Sequence, residues 1–171
     1  KLDALRAGIT FPSPNDEDLA TELAQIGSKM QSMYGQGEVC DTDGACLNLT
    51  DISHILAAGE DPKKMEQLWA DWRNVSLPMR ELYERQVDIA NTGAKDLGFE
   101  NLSTMWRSNY DMSPDAFAAD TDAQWNKVKP LYEALHCHVR AELNDAYGDD
   151  VVPATGKIPA HMLGNMWAQQ W

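Results

Sequence analysis

Nowhere in these 171 residues is there an apolar run of the ~18 residues that a membrane-crossing helix needs, so nothing here is read as spanning a bilayer. Positive charge is scarce: 14 Lys and Arg stand against 27 Asp and Glu, for a net charge of −13. Such a surface repels phosphate backbones and anionic lipid, which argues against nucleic acid and membrane surfaces as partners. The opening Lys1-Leu-Asp-Ala-Leu-Arg6 has neither the long apolar region nor the small-residue cleavage site of a signal peptide; if the protein is exported, its signal has been removed. A hydrophobic content of 43% with six tryptophans excludes disorder. The chain is long enough to bury the core of one domain.

Strand signals are missing too, with no convincing hairpin, no βαβ unit and no internal repeat. What is present is helix after helix. Asn15 or Asp16 caps a helix with apolar positions Leu19, Leu23, Ile26, Met30 and Met33, stopping at Gly35. Asp51 is placed to cap a short turn with Ile52, Ile55 and Leu56. Asp61-Pro62 opens a helix with Leu68, Trp69 and Trp72 on one face, which Pro78 interrupts or restarts before a stop at Gly98. Ser103 is read as the cap of a short helix through Met105, Trp106 and Tyr110. Ser113-Pro114-Asp115 starts a long one holding Trp125, Val128, Leu131, Leu135, Val139 and Leu143, kinked at Pro130 and ending at Tyr147-Gly148. Asp149 to Gly156 reads as a loop with one extended piece at Val151-Val152. The expected architecture is all-α, with long, unequal helices.

Pro159 would open a final helix carrying His161, Met162, Met166 and Trp167. The chain then halts on Trp171 with no cap and no polar tail. That reads as a cut through a larger domain, so the decisive chemistry is expected outside these residues.

Only three cysteines occur. Cys40 and Cys46 flank a short loop whose Asp43-Gly44 step is a turn signal, and either a disulfide or two neighbouring thiols fits. A bridge would point to an exported, oxidising location. A redox sensor built on the pair would need a low-pKa thiol that the acidic surroundings disfavour. Cys137 reads as a buried, inert thiol among apolar neighbours.

Metal chemistry finds no home. His136 and His138 sit at i and i+2, which point to different sides of a helix, and His54 and His161 have no partner at ligand spacing. No His-Glu-x-x-His is present. Placing Gly44 at the sixth position of a calcium loop puts Val39 first and Thr50 twelfth, where carboxylates are required. Gly35-Gln-Gly37 follows no strand and is a helix stop rather than a phosphate loop, and no Gly-x-Ser-x-Gly elbow occurs. Arg107, beside Trp106 in an aromatic run, needs either a surface carboxylate or an anion. Tyr147 at a helix end reads as ordinary packing. Asn48, Asn74 and Asn101 begin Asn-x-Ser/Thr triplets, short motifs open to glycans in a eukaryotic secreted protein.

Several segments taken in order carry a resemblance. Ile9-Thr-Phe-Pro-Ser-Pro14, Met33-Tyr-Gly-Gln-Gly-Glu-Val-Cys40, Cys46-Leu-Asn-Leu49, Leu68-Trp-Ala-Asp-Trp-Arg73, Trp106-Arg107, Lys129-Pro-Leu-Tyr132, Leu135-His136, Val139-Arg140 and above all Ile158-Pro-Ala-His-Met-Leu-Gly-Asn-Met-Trp167 are similar to the angiotensin-converting-enzyme family of zinc peptidyl-dipeptidases, M2-type metallopeptidases. The resemblance covers nearly the whole chain, and only the opening portion of that family's catalytic domain. It implies an all-helical hydrolase with a deep cleft, a zinc held by a His-Glu-x-x-His helix and a later glutamate, and chloride-dependent removal of dipeptides from peptide C-termini. Residues 1–171 would be the N-terminal fragment of one peptidase domain, ending before the zinc motif and inactive alone.

By the same resemblance Arg107 and Tyr147 match ligands of two chlorides, and Cys40–Cys46 matches a disulfide. Thr50 and Asp51 stand near the position of a substrate-pocket residue, without matching it. Cys137 and His138 replace what is commonly a small residue and an aromatic. The implied partners are peptide substrates and the rest of the catalytic domain, and the implied location is secreted or periplasmic. Exposed core faces would favour self-association. The competing expectation is a non-catalytic helical binding or scaffold protein on the same fold.

Overall fold

A computed structural model of the chain describes residues 9–170; Lys1 to Arg6 and Trp171, read above from sequence, lie outside the described residues. The helices are α1 (Glu17–Gly35), α2 (Leu49–Ala58), α3 (Pro62–Ser76), α4 (Arg80–Asp96), α5 (Leu102–Arg107) and α6 (Pro114–Tyr147), with single 3₁₀ turns at Leu77–Met79 and Ala160–Met162. The architecture is all-α apart from one small hairpin. The chain forms two compact units: residues up to Met33 with Pro78–Lys127, and Tyr34–Leu77 with Val128 onward.

In the first unit α1 begins where Asp16 accepts the backbone N–H groups of Asp18 and Leu19, both at 3.0 Å. Its Leu23 and Ile26 are buried with Ile89 of α4. Across the exposed side Arg85 grips Glu22 through two 2.7 Å bonds, and that fork holds the Glu22 carboxyl below its ordinary value. The small residues Ala90 and Ala94 of α4 pack against Leu102 and Met105 of α5. Ahead of α1 an extended segment crosses α4, with Pro12 and Pro14 buried and Asn15 N–H donating to Asp96 at 2.8 Å.

The second unit holds the largest core. Ile52 and Leu56 of α2, Met65, Leu68 and Trp72 of α3, and Val152, Met162 and Met166 from the C-terminal segment are buried together. The spacing of Leu68 and Trp72 predicts one buried face, and Asp61 caps α3 as expected, accepting from Lys63 and Lys64 ahead of Pro62. Burial pushes the His161 imidazole below its usual pKa, the Glu66 carboxylate opposing it.

Several expectations need correction. A hairpin does form: β1 (Glu38–Cys40) pairs antiparallel with β2 (Cys46–Asn48), with Cys40 opposite Cys46. The cap of α2 is Asn48, not Asp51. Its side chain accepts from Thr50 N at 2.8 Å and Asp51 N at 3.1 Å, while Asp51 returns a bond to Asn48 N, a complete capping box. Likewise Asn101, not Ser103, caps α5. The Pro159 segment makes a 3₁₀ turn and further turns instead of a helix, and Val151 and Val152 fold into a turn on the Gly148 carbonyl. Cys137 is exposed: two residues from buried Val139 on a helix, it points to the other side. Pro130 lies inside helix α6, where the sequence places it.

Replacing Asn48 with Ala removes two acceptor bonds from the α2 N-terminus. The expected loss is about 1 kcal/mol of stability, read as a lower urea midpoint, with Asn48→Asp retaining most of it. An unchanged midpoint would mean that the box does not hold the helix.

Candidate functional site

Arg107 is positioned by α5. Asn101 starts that helix by accepting Thr104 N–H at 2.8 Å, and Asn91 of α4 accepts Leu102 N–H at 2.9 Å, so the helix is fixed at its first turn. Trp106 is tied in turn: its indole N–H donates to the Thr10 carbonyl at 2.7 Å and its ring meets Phe11 edge-on at 6.0 Å. Beside them is a cleft of about 450 Å³ lined by Phe11, Tyr83, Asn91, Asn101, Leu102 and Trp106 among others.

The guanidinium itself is weakly engaged. Arg107 Nε donates to Ser103 O at 3.4 Å and Nη1 to Pro114 O at 3.5 Å, both longer than ordinary N–H···O bonds. Among the described residues no carboxylate pairs with it. A half-buried guanidinium with long carbonyl contacts and no counter-charge is receptive to an anion. The surface carboxylate considered from the sequence is not found among the described residues.

Tyr147 sits differently, in the second unit. Its hydroxyl donates to the Gly59 carbonyl at 3.0 Å. Gly59 ends α2 at φ +69°, a left-handed cap that glycine adopts without strain, and a Cβ there would lie 2.6 Å from the Tyr147 oxygen. The hydroxyl proton is thus committed to a backbone carbonyl. A chloride at Tyr147 would require that bond to turn over, so the fit to an anion is good at Arg107 and poor at Tyr147.

Cys40 and Cys46 form a disulfide. It also removes the one group of close potential ligands among the described residues, Glu38 with the two cysteines, from metal binding. The donor set of the described residues therefore does not fit a zinc ion. Asp51 uses one carboxylate oxygen on the Asn48 N–H, and Thr50 lies exposed in the first turn of α2. Asn74 is exposed on α3, whereas the Asn48 and Asn101 carboxamides serve as helix caps.

Sequence reasoning missed two arginines that hold the second unit together. Arg73 Nη2 donates to the Met166 carbonyl while its guanidinium lies 4.2 Å over the Trp69 ring. Arg140 donates to the carbonyls of Ala154 at 3.1 Å and Gly156 at 3.0 Å, pinning the loop after α6. Only the Trp69–Arg73 spacing of four, which stacks side chains on one helical face, pointed to either.

These features define a class: an all-helical protein with an anion-receptive arginine, a disulfide-closed hairpin and no metal-ligand set among its described residues. Comparison with known proteins takes the definition further. The peptidase M2 family, described as angiotensin-converting enzyme, matches residues 2–171, and the chain belongs to that family. It is 36% identical over 157 residues to the angiotensin-converting enzyme-like protein Ace3 of Mus musculus, covering 91% of this chain and 21% of that protein. The angiotensin-converting enzyme of Theromyzon tessulatum is 36% identical over 165 residues, covering 93% of this chain and 26% of its own length. That of Rattus norvegicus is 36% identical over 152 residues, with 88% and 11% covered. The chain thus spans between 11% and 26% of these relatives. No described helix is long and apolar enough to cross a membrane.

Proposed function

We propose that the protein is a zinc peptidase that removes dipeptides from the C-termini of peptides in a chloride-dependent reaction, and that residues 1–171 are the N-terminal stretch of its single helical catalytic domain. The observation that carries this reading is membership of the angiotensin-converting enzyme family along residues 2–171. The zinc, whose chemistry is to polarise the scissile carbonyl and activate water, would be held by residues outside this stretch. Within it, Arg107 supplies a fixed cation for chloride. Tyr147 joins a second chloride only by releasing Gly59. Thr50 and Asp51 are candidates for a substrate side-chain pocket, Asp51 keeping one oxygen free of the cap. The disulfide supports an oxidising, secreted or periplasmic location. Residues 1–171 alone are expected to cleave nothing.

The test is dipeptide release from a blocked tripeptide by the full-length protein, with and without chelator and across a chloride titration. Arg107→Leu is expected to weaken the chloride response about tenfold, as loss of one charge-assisted contact does, without abolishing zinc binding. Release of single amino acids, or activity indifferent to chelation, would sink the reading. Undiminished chloride dependence in the Arg107→Leu, Tyr147→Phe double variant would sink the ligand roles alone.

A further inference from the structure

Helix α6 carries an apolar stripe at helical spacing: Val128, Leu131, Tyr132, Leu135, Val139 and Leu143. Its C-terminal end behaves as a stripe should, with Val139 buried and Leu143 packed against the Ile52–Met166 core. Two turns earlier the same face is exposed. Val128 is 51% exposed, Leu131 74%, Tyr132 53% and Leu135 40%. This is about 10 Å of one face, continuous with an interface that the protein already makes. Scattered apolar residues on a surface are ordinary; a row of four in register with a buried row is not.

Beside the exposed face runs a groove of about 580 Å³ walled by Tyr132, His136, Arg140, Lys157, Ile158 and Leu163. Among the described residues that wall it, the one acid, Glu133, is paired with Lys129 at 3.7 Å. In a chain of net charge −13 this rim is locally cationic. An occupant complementary to both features is apolar along its centre and acidic at its edge.

We infer that the Val128–Leu135 face and its groove seat such a segment from the part of the same catalytic domain that lies outside these residues. The inference rests on the function proposed above and deepens it. The relatives supply the source of the occupant, since at least 74% of each of the three compared lies outside the matched stretch. The inner end of the stripe supplies the geometry, because the face is already used for packing within the unit.

The test uses the full-length protein carrying Leu131→Cys. The introduced thiol, assigned by mass spectrometry separately from Cys137, is labelled with a maleimide in the native state and in urea. Native labelling is expected to be slower by about a hundredfold at every protein concentration, as for a position opened only by local unfolding. Labelling within about threefold of the unfolded rate would overturn the inference. So would protection that appears only at high concentration, which would assign the face to a second copy. Should the variant not fold, hydroxyl-radical oxidation of Tyr132 in the unsubstituted protein reads the same surface. Slow oxidation relative to the unfolded chain supports the inference and equal oxidation overturns it. Peptidase activity is measured on the same sample: an active protein with a reactive thiol sinks the docking face alone, and a protected thiol without activity sinks only the proposed function.

Discussion

Gly93→Ala is expected to destabilise the protein by about 2–3 kcal/mol, although alanine is the better helix former. In the interior of an exposed helix that substitution would stabilise by about 1 kcal/mol. Here the added methyl would lie 2.1 Å from the Pro12 carbonyl oxygen and 2.7 Å from its carbon. Those are backbone atoms, and the segment that carries them has little room to retreat. It is tied by the Trp106 indole to Thr10 on one side and by Asn15 N–H to Asp96 on the other, with Pro12 and Pro14 buried between. Relief requires lifting a proline-containing crossing off α4, which exposes Pro12 and disturbs the Phe11 contacts with both clusters of the first unit. The clash therefore outweighs the propensity gain. Urea unfolding should show a lower midpoint at unchanged slope, and a melting temperature lower by roughly 5–10 °C. A neutral or stabilising result would mean that the segment does not cross α4 at Gly93.

The crossing also marks the limit of what could be read from the chain. Helix ends were legible wherever a cap is a local device. Asp16, Asp61 with Pro62, Ser113 with Pro114, and the stop at Tyr147-Gly148 each act within four residues, so their chemistry is visible in the order of residues. Asn48 and Asn101 are equally local, but Asp51 and Ser103, a few positions on, are also good caps, so residue order alone does not choose between them. The structure chooses between them, since in α2 Asp51 is the reciprocal partner at the third position. The hairpin was invisible for another reason. Strands of three residues, each with only its central position half-buried, are too short for alternation to mark them, and their pairing depends on the disulfide and on Asp41, which accepts the Asp43 and Ala45 N–H groups at 2.9 Å. The failed helix after Pro159 has the right spacing and the wrong backbone: Gly164 takes φ +70°, and Leu163 O accepts from Asn165 and Gln170 rather than four residues on.

The candidate site was less legible than the fold. Arg107 stood out as a cation among aromatics, yet no ring contact reaches its guanidinium among the described residues; the aromatic stacking belongs to Arg73. What makes Arg107 distinctive is that no carboxylate among the described residues pairs with it in so acidic a chain, a property of three-dimensional placement. The spacing marks Tyr147 only as a helix-end residue, and its hydroxyl bonds the Gly59 carbonyl 88 positions away, a contact that no local pattern encodes. The apolar stripe of α6 is legible in the spacing of its residues. Its exposure from Val128 to Leu135 is set by tertiary placement, which the spacing does not encode.

Removing the Cys40–Cys46 bridge should cost about 2–3 kcal/mol, more than the loss of any single cap. The bridged residues are separated by 6 positions, so the restriction of the unfolded chain alone is worth about 2 kcal/mol. The rest arises because the hairpin feeds directly into α2. Asn48 is the last residue of β2 and also the cap whose box holds Thr50 and Asp51, ahead of fully buried Ile52. Two three-residue strands do not persist without support, and once they part Asn48 has no fixed position from which to cap. The bridge and the cap are therefore coupled. In a Cys137→Ser background, which removes the remaining free thiol, the Cys40→Ser, Cys46→Ser variant should lose its cooperative transition at a melting temperature roughly 5–10 °C lower. Adding Asn48→Ala to it should cost less than in the bridged protein, with a coupling of at least about 0.5 kcal/mol in a double-mutant cycle. Strict additivity would show that α2 is held by its burial against α3 alone, and that the hairpin is an independent closure of the loop between α1 and α2.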